Sequence, residues 1–184
     1  CGRPSVGVQV KIMGPEGNEL PCGEVGEIWV KSDSNLESYY KLPEETAKNV
    51  TDGWVHTGDA GYVDAEGYLF LKDRIKDMVV SGGENIYPVE VENTIASHPA
   101  VMDVAVIGVP SDKFGESLLA FAVLSEGAEI TIDELVEFCR DKIAGYKIPR
   151  QLQVISEMPR NASGKILKTE LRKPYWDGTS RGIG

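Results

Sequence analysis

Two apolar runs, Val101 to Val109 and Leu118 to Leu124, constrain this chain more than any other feature of it. Strands with one wet face alternate apolar and polar residues. These runs do not, so both are expected as strands of a sheet covered on both sides. Helical segments around them supply candidates for the cover. Pro88 to Ala96 suits a helix, with Val89, Ile95 and Ala96 as its candidate buried side. Thr131-Ile132-Asp133-Glu134 is a capping box opening a second helix, whose Leu135, Val136, Phe138 and Cys139 form the apolar stripe. Gly145 and Pro149 are expected to end that helix, Leu152 to Ile155 to form a short strand, and about Lys165 to Lys173 a last helix. Helices alternating with strands describe a small α+β unit, a short sheet flanked by helices.

The part before residue 73 reads differently. Val6, Val8, Val10 and Ile12 alternate as in a strand, and Val25 to Lys31 suits a second. Gly61 to Asp64 and Tyr68 to Leu71, joined through Ala65-Glu66-Gly67, read as a hairpin. One short helix is expected from Pro43 to Val50, with proline in its first turn and Glu44 and Glu45 at the positive end of its dipole. The expectation is a mostly-β subdomain, a distorted barrel, over 1–75. The small α+β domain follows over 76–173, and 174–184 is expected as a tail fraying from Trp176. The charged segment Lys72 to Asp77 between the two suits a hinge.

Composition excludes several classes. With 41% hydrophobic and 26% charged residues the chain is globular. Its net charge of −10 argues against a general nucleic-acid binder. No apolar run approaches the roughly 18 residues of a membrane span, and Cys1, Cys22 and Cys139 read as free thiols of a cytoplasmic protein. Charge is uneven, however. Residues 1–141 sum to −16 and residues 142–184 to +6. That basic stretch is either a solvated surface or a face that meets a small polyanion such as a nucleotide or coenzyme A.

Four segments carry candidate chemistry. Asp59, in Trp54-Val55-His56-Thr57-Gly58-Asp59, can accept two hydroxyls as a ribose offers them; an aspartate after glycine is also a common turn residue. Arg74 can fork onto ribose or phosphate oxygens, and Gly82-Gly83 in Ser81-Gly82-Gly83-Glu84 permits close backbone approach, or else makes an ordinary turn. Tyr146, Lys147 and Arg150 combine a ring and two cations around a proline-fixed turn, which could hold an adenine and a phosphate or could simply end a helix. Lys165, in Pro159-Arg160-Asn161-Ala162-Ser163-Gly164-Lys165, could deliver a point charge to a carboxylate or phosphoryl oxygen; a lone lysine there would by default face solvent.

Taken in order, GEVGEIWVKS, YYKLPEET, WVHTGD, GYLFLKDRIKDMVVSGGENIYPVEVE, GYKIPR and NASGK resemble the C-terminal part of the adenylate-forming superfamily over about residues 2–172. That superfamily holds acyl-CoA synthetases, peptide-synthetase adenylation domains and luciferases. SGGENIYPVEVE is most similar to the fatty-acyl and related carboxylate–CoA ligases. The resemblance implies that Asp59 and Arg74 hold the ribose of ATP and acyl-AMP. It implies that Lys76 is the hinge about which the small domain turns, and that Lys165 reaches the carboxylate and α-phosphate during adenylation. Ser81, Gly82, Gly83 and Glu84 then replace Lys165 at the active site and line the pantetheine tunnel. Tyr146, Lys147 and Arg150 fall where related ligases contact the CoA nucleotide.

The same resemblance implies substrates and a missing portion. ATP, CoA and a carboxylate, by motif style a fatty acid, are expected, with Mg²⁺ arriving on ATP and no metal site in the protein. The phosphate loop, adenine segment and acyl pocket of such ligases do not occur in this sequence. An N-terminal domain of the same enzyme is therefore expected as a partner, and the piece alone is expected to be inactive. Two alternatives stay open: an enzyme that loads acyl groups onto a carrier protein, and a stand-alone regulatory or interaction module.

Overall fold

A computed structural model describes residues 1–176. The fold is α+β, strand-rich, with curled sheets and few helices. Contacts divide the chain into two compact units, Cys1–Ile75 and Lys76–Gly184.

The first unit is an antiparallel sheet of β1 (Gln9–Met13), β2 (Gly26–Lys31), β3 (Val50–Thr51), β4 (Trp54–Val63) and β5 (Leu69–Arg74), with one helix, α1 (Pro43–Asn49). The strand order is β1-β2-β4-β3, and β5 pairs with residues 59–63 of β4, further along that strand than the two-residue pairing with β3. The first strand starts later than the alternation suggests. Val8 N–H closes a turn onto the Ser5 carbonyl, Gly7 has a φ of +82°, and Val6 is left fully exposed. Gly26 and Gly61 face each other across β2 and β4, where the strands crowd. A Cβ at Gly61 would lie 2.4 Å from the Phe70 carbonyl oxygen, and one at Gly26 2.4 Å from that of Met13. The core is small: Ile12, Met13, Ile28 and Ala60 are its buried apolar residues, while Tyr40, Phe70 and Leu71 stay exposed.

The second unit is built on a long hairpin, β8 (Val101–Ser111) and β9 (Gly115–Leu124). β9 also pairs in parallel with β10 (Gln151–Val154), and at Gly115 with β6 (Val79–Ser81), which continues into β7 (Glu84–Ile86). Both faces of the hairpin are covered, which is why its central stretches, Val104 to Val109 and Leu118 to Leu124, are apolar. Val104, Val106, Leu118 and Ala120 pack with α2 (Pro88–Ala96) and α3 (Ile132–Cys139), through Val91, Ile95, Leu135 and Cys139. Ala105, Ile107, Val109, Leu119 and Phe121 face the other way, with Leu171 of α4 (Lys168–Trp176) and Met158.

Several local expectations change. The buried side of α2 is Pro88, Val91 and Ile95, spaced three and four apart, and it leaves Ala96 exposed and Val89 half-buried. The capping box of α3 forms in both directions, and the Thr131 N–H bond holds the Glu134 carboxyl below its ordinary pKa. That helix stops at Cys139 rather than near Gly145, because the Lys142 ammonium bonds the Phe138 carbonyl at 2.7 Å and the chain turns there to bury Ile143. The last helix begins at Lys168, since residues 161–166 are taken up by a buckle. It runs to Trp176, whose indole N–H donates to the Gly108 carbonyl at 3.0 Å, so Trp176 does not fray. Of the expected tail, residues 177–184 lie outside the described residues.

The outer edge of β8 is closed by side chains. Along this strand residues 104, 106, 108 and 110 direct their backbone groups away from β9. Asp103 accepts from Val104 N–H, Glu92 from Val106 N–H at 2.7 Å, Trp176 donates to Gly108, and Pro110 has no N–H. An open edge of this length would template pairing with another chain. Glu92 also pairs with Lys168 at 2.6 Å, both nearly buried. Glu92→Ala is therefore expected to lower unfolding free energy by about 2–3 kcal/mol, measured in urea, and to raise self-association at high concentration. Glu92→Gln, which keeps the acceptor, should self-associate less.

Burial sorts the cysteines. Cys139 is fully buried, while Cys1 and Cys22 are exposed. Burial pushes the Cys139 thiol pKa above its ordinary value of 9.0. The unfolded chain would lose that proton first as pH rises, so this group's contribution to stability is lost above about pH 9. Iodoacetamide at neutral pH is expected to label two of the three thiols in the native protein, and the third only on unfolding.

Candidate functional site

In the first unit the geometry centres on a bulge. Glu27 pairs with Ala60 and Trp29 with His56, so Thr57, Gly58 and Asp59 oppose Ile28 alone. Gly58 takes a φ of +69°, a conformation glycine adopts freely. The Thr57 hydroxyl donates to the Ile28 carbonyl at 2.8 Å and accepts from Asp59 N–H at 3.1 Å. Gly58 N–H donates to the Glu27 carboxylate at 3.1 Å. The bulge re-aims Asp59, whose register partner on β5 is Arg74, and the Arg74 Nε lies 3.2 Å from the Asp59 Oδ1. Asp59 and Arg74, fifteen positions apart, are thus brought together with their outer faces open to solvent: a paired acceptor and donor fork suited to vicinal hydroxyls. His56 does not join them; its ring stacks on Trp29, with centroids 3.7 Å apart.

In the second unit Ser81, Gly82, Gly83 and Glu84 form one hairpin tip. Ser81 pairs with Glu84, and both glycines have positive φ, +61° and +88°, the backbone of a two-residue type I′ turn. The tip rests on the β8–β9 turn, with Gly82 N–H donating to the Phe114 carbonyl at 2.9 Å. Phe114 was not singled out by its sequence context. Its ring lies 4.9 Å from the Arg150 guanidinium and 5.0 Å from the Lys113 ammonium. An aromatic ring with two cations near it, beside a glycine tip, can take a nucleobase and its phosphates. Tyr146 is exposed, whereas Lys147 donates to both Glu90 oxygens at 2.7 Å, so any phosphate would compete there with a carboxylate.

Lys165 stands on a pre-built turn. The Asn161 side-chain oxygen accepts from Ser163 N–H (3.1 Å), Ser163 Oγ (2.8 Å) and Lys165 N–H (2.9 Å), and Gly164 turns with a φ of +82°. Lys165 is exposed, and among the described residues no carboxylate claims its ammonium. Lys76, the first residue of this unit, lies in a 3-10 turn, Ile75–Asp77. Its neighbour Asp77 pairs with Arg172 of α4 at 2.7 Å, both nearly buried. The Arg172 Nε and Nη2 have no partner among the described residues.

The structure does not bring Lys165 and the glycine tip together. The Lys165 turn is tied to the start of β8 through Arg160 and Asp103, and the tip meets the far end, at Phe114 and Gly115. Asp103 and Ser111 are eight residues apart on one strand, roughly 27 Å. The basic stretch also reads differently in three dimensions. Lys147, Arg160, Lys168 and Arg172 pair with Glu90, Asp103, Glu92 and Asp77, which leaves far less positive charge for a ligand than the sequence suggests. Among the described residues no His, Cys, Asp and Glu gather to hold a metal, and no helix is long and apolar enough to cross a membrane.

The AMP-binding enzyme C-terminal domain family matches residues 90–165. A fatty acid–[acyl-carrier-protein] ligase from Streptomyces coeruleorubidus is 43% identical over 183 residues, which cover 100% of this chain and 35% of that protein. A feruloyl-CoA synthase from an Amycolatopsis species is 45% identical over 175 residues, 95% of this chain and 36% of the relative. The crystal structure of ATP-bound MatB from Rhodopseudomonas palustris superimposes with a TM-score of 0.88 at 38% identity, over 96% of this chain and 35% of that one. The chain thus spans about a third of the length of the relatives it matches. On the strength of these likenesses and of the fold that carries them, the chain belongs to the adenylate-forming enzymes, whose C-terminal part it represents.

Proposed function

We propose that this chain is the C-terminal portion of an ATP-dependent, AMP-forming acid–CoA ligase, with a fatty acid as the carboxylate. In the first half-reaction a carboxylate oxygen attacks the α-phosphorus of Mg²⁺-bound ATP and pyrophosphate leaves. In the second, the CoA sulfur attacks the acyl carbon, AMP leaves and the thiol proton is released. Asp59 and Arg74 hold the ribose in both. Lys165 offsets the anionic charge that builds up during adenylation. The Ser81–Glu84 tip, with Tyr146, Lys147 and Arg150, then receives pantetheine and the CoA nucleotide.

The observation that carries this reading is the placement of Lys165 and the glycine tip at opposite ends of the β8–β9 hairpin. Two surfaces so far apart on one unit serve a single reaction centre only if the unit turns, and Lys76 is the proposed pivot. The small core of the first unit and its exposed Phe70 and Leu71 support a further, N-terminal domain of the same enzyme as its partner, without which the chain is inactive. In the full-length enzyme, Lys76→Pro should slow thioester formation from supplied acyl-AMP by at least about tenfold and leave ATP–pyrophosphate exchange within a few-fold. Equal slowing of both steps would refute the turning unit.

A second reading has specific support in the carrier-protein ligase, which is 43% identical. There the thiol is the phosphopantetheine of a carrier protein. Free CoA and a phosphopantetheinylated carrier, offered to the same full-length enzyme, separate the two by which thioester forms.

A further inference from the structure

Arg160 and Asp103 have been given no chemical role above, yet their side chains link the Lys165 turn to the sheet. One guanidinium spans the gap. Its Nη2 meets the Asp103 Oδ2, and its Nη1 donates to the carbonyl of Gly164, the residue just before Lys165. Asp103 is itself fixed, because its other oxygen accepts from Val104 N–H at 3.0 Å, at a register shift of β8 against β9. On the turn's far side the Asn161 oxygen gathers three donors, and Asn161 N–H donates to the Lys165 carbonyl at 3.0 Å. Both peptide groups flanking Lys165 are therefore held, while its side chain stays exposed.

Such an arrangement is more than an exposed turn needs for folding. A surface loop of polar residues satisfies its backbone with water, and an exposed ion pair adds little stability. Charge-assisted bonds to a carbonyl beside a functional lysine instead restrict where that lysine can point. We propose that Asp103 is a positioning residue for Lys165, acting through Arg160: it aims the ammonium that serves adenylation and has no contact with the thioester step. This rests on the role given to Lys165 above.

The test compares Asp103→Ala, Asp103→Asn and Asp103→Glu in the full-length enzyme. Asp103→Ala and Asp103→Asn should lower kcat for carboxylate-dependent ATP–pyrophosphate exchange about tenfold, with KM for ATP and acid within about twofold. Thioester formation from supplied acyl-AMP should stay within about twofold, and Asp103→Glu, which keeps the charge, should recover most of the exchange rate. Amide hydrogen exchange at Ser163 and Lys165 should speed up in the same order as activity is lost, a readout that does not depend on turnover. Loss of both half-reactions alike would make Asp103 merely structural, and an unchanged exchange rate would remove it from the site; either overturns the proposal. Lys165→Ala is run in parallel. If it cripples exchange while Asp103→Ala does not, the positioning role alone fails. If Lys165→Ala leaves exchange intact, the assigned role of Lys165 fails first.

Discussion

Lys165→Ala in the full-length enzyme is expected to lower ATP–pyrophosphate exchange by at least about a hundredfold and to leave thioester formation from supplied acyl-AMP within a few-fold. Removing one pre-aligned donor from a developing anionic centre typically costs 10²–10³ in rate. Here the donor is a full charge on a turn already held by Asn161, so little reorganisation accompanies its use. Lys165→Arg should not restore the rate, because a planar fork cannot occupy the position of a compact ammonium. The asymmetry between half-reactions is the critical result. If both fell together, Lys165 would serve the fold or a shared ligand and not one chemical step.

The second large effect concerns stability. Gly61→Ala should destabilise the first unit by about 3 kcal/mol or more, read by thermal or urea unfolding, because the added methyl's nearest contact is backbone, which cannot step aside as a side-chain tip can. Its Cβ would lie 2.4 Å from the Phe70 carbonyl oxygen and 2.8 Å from the Ile28 Cδ1. Relief requires β4 and β5 to separate just beyond the Asp59–Arg74 pair, so loss of ribose affinity should accompany the loss of stability. Gly67→Ala is the contrasting control. A methyl there has nothing within 4 Å, and only the cost of a φ of +83° remains, about 1 kcal/mol.

Much of the fold was legible because the patterns that report it are local. The unbroken runs of β8 and β9, the Thr131–Glu134 box and Pro43 at the start of α1 each mark an element through its own neighbours. Where the expectations slipped, a distant or unlooked-for contact had intervened. Ala96 was expected inside, but α2 turns Val91 to the sheet; Lys165 was expected to begin a helix, but Asn161 captured its N–H; Trp176 was expected to fray, but Gly108 accepts its indole proton. At Gly82-Gly83 a turn was among the sequence readings but the hairpin was not: two glycines between short apolar segments are a hairpin mark, and the pairing of Ser81 with Glu84 follows from it.

The sequence by itself determined the ordered motifs, and with them the family, because six short segments in fixed order specify far more than any one of them. It also determined that the β8–β9 hairpin must be covered on both faces, since no alternation was available to leave one wet. Only the tertiary structure decided which charges are free. Lys147, Arg160, Lys168 and Arg172 look alike along the chain, and each is matched to an acidic residue 57 to 95 positions away, while Lys165 is not. Coulomb attraction acts on distance in space, which chain order does not encode, so whether a lysine is a structural partner or a reagent is settled by what the fold sets beside it.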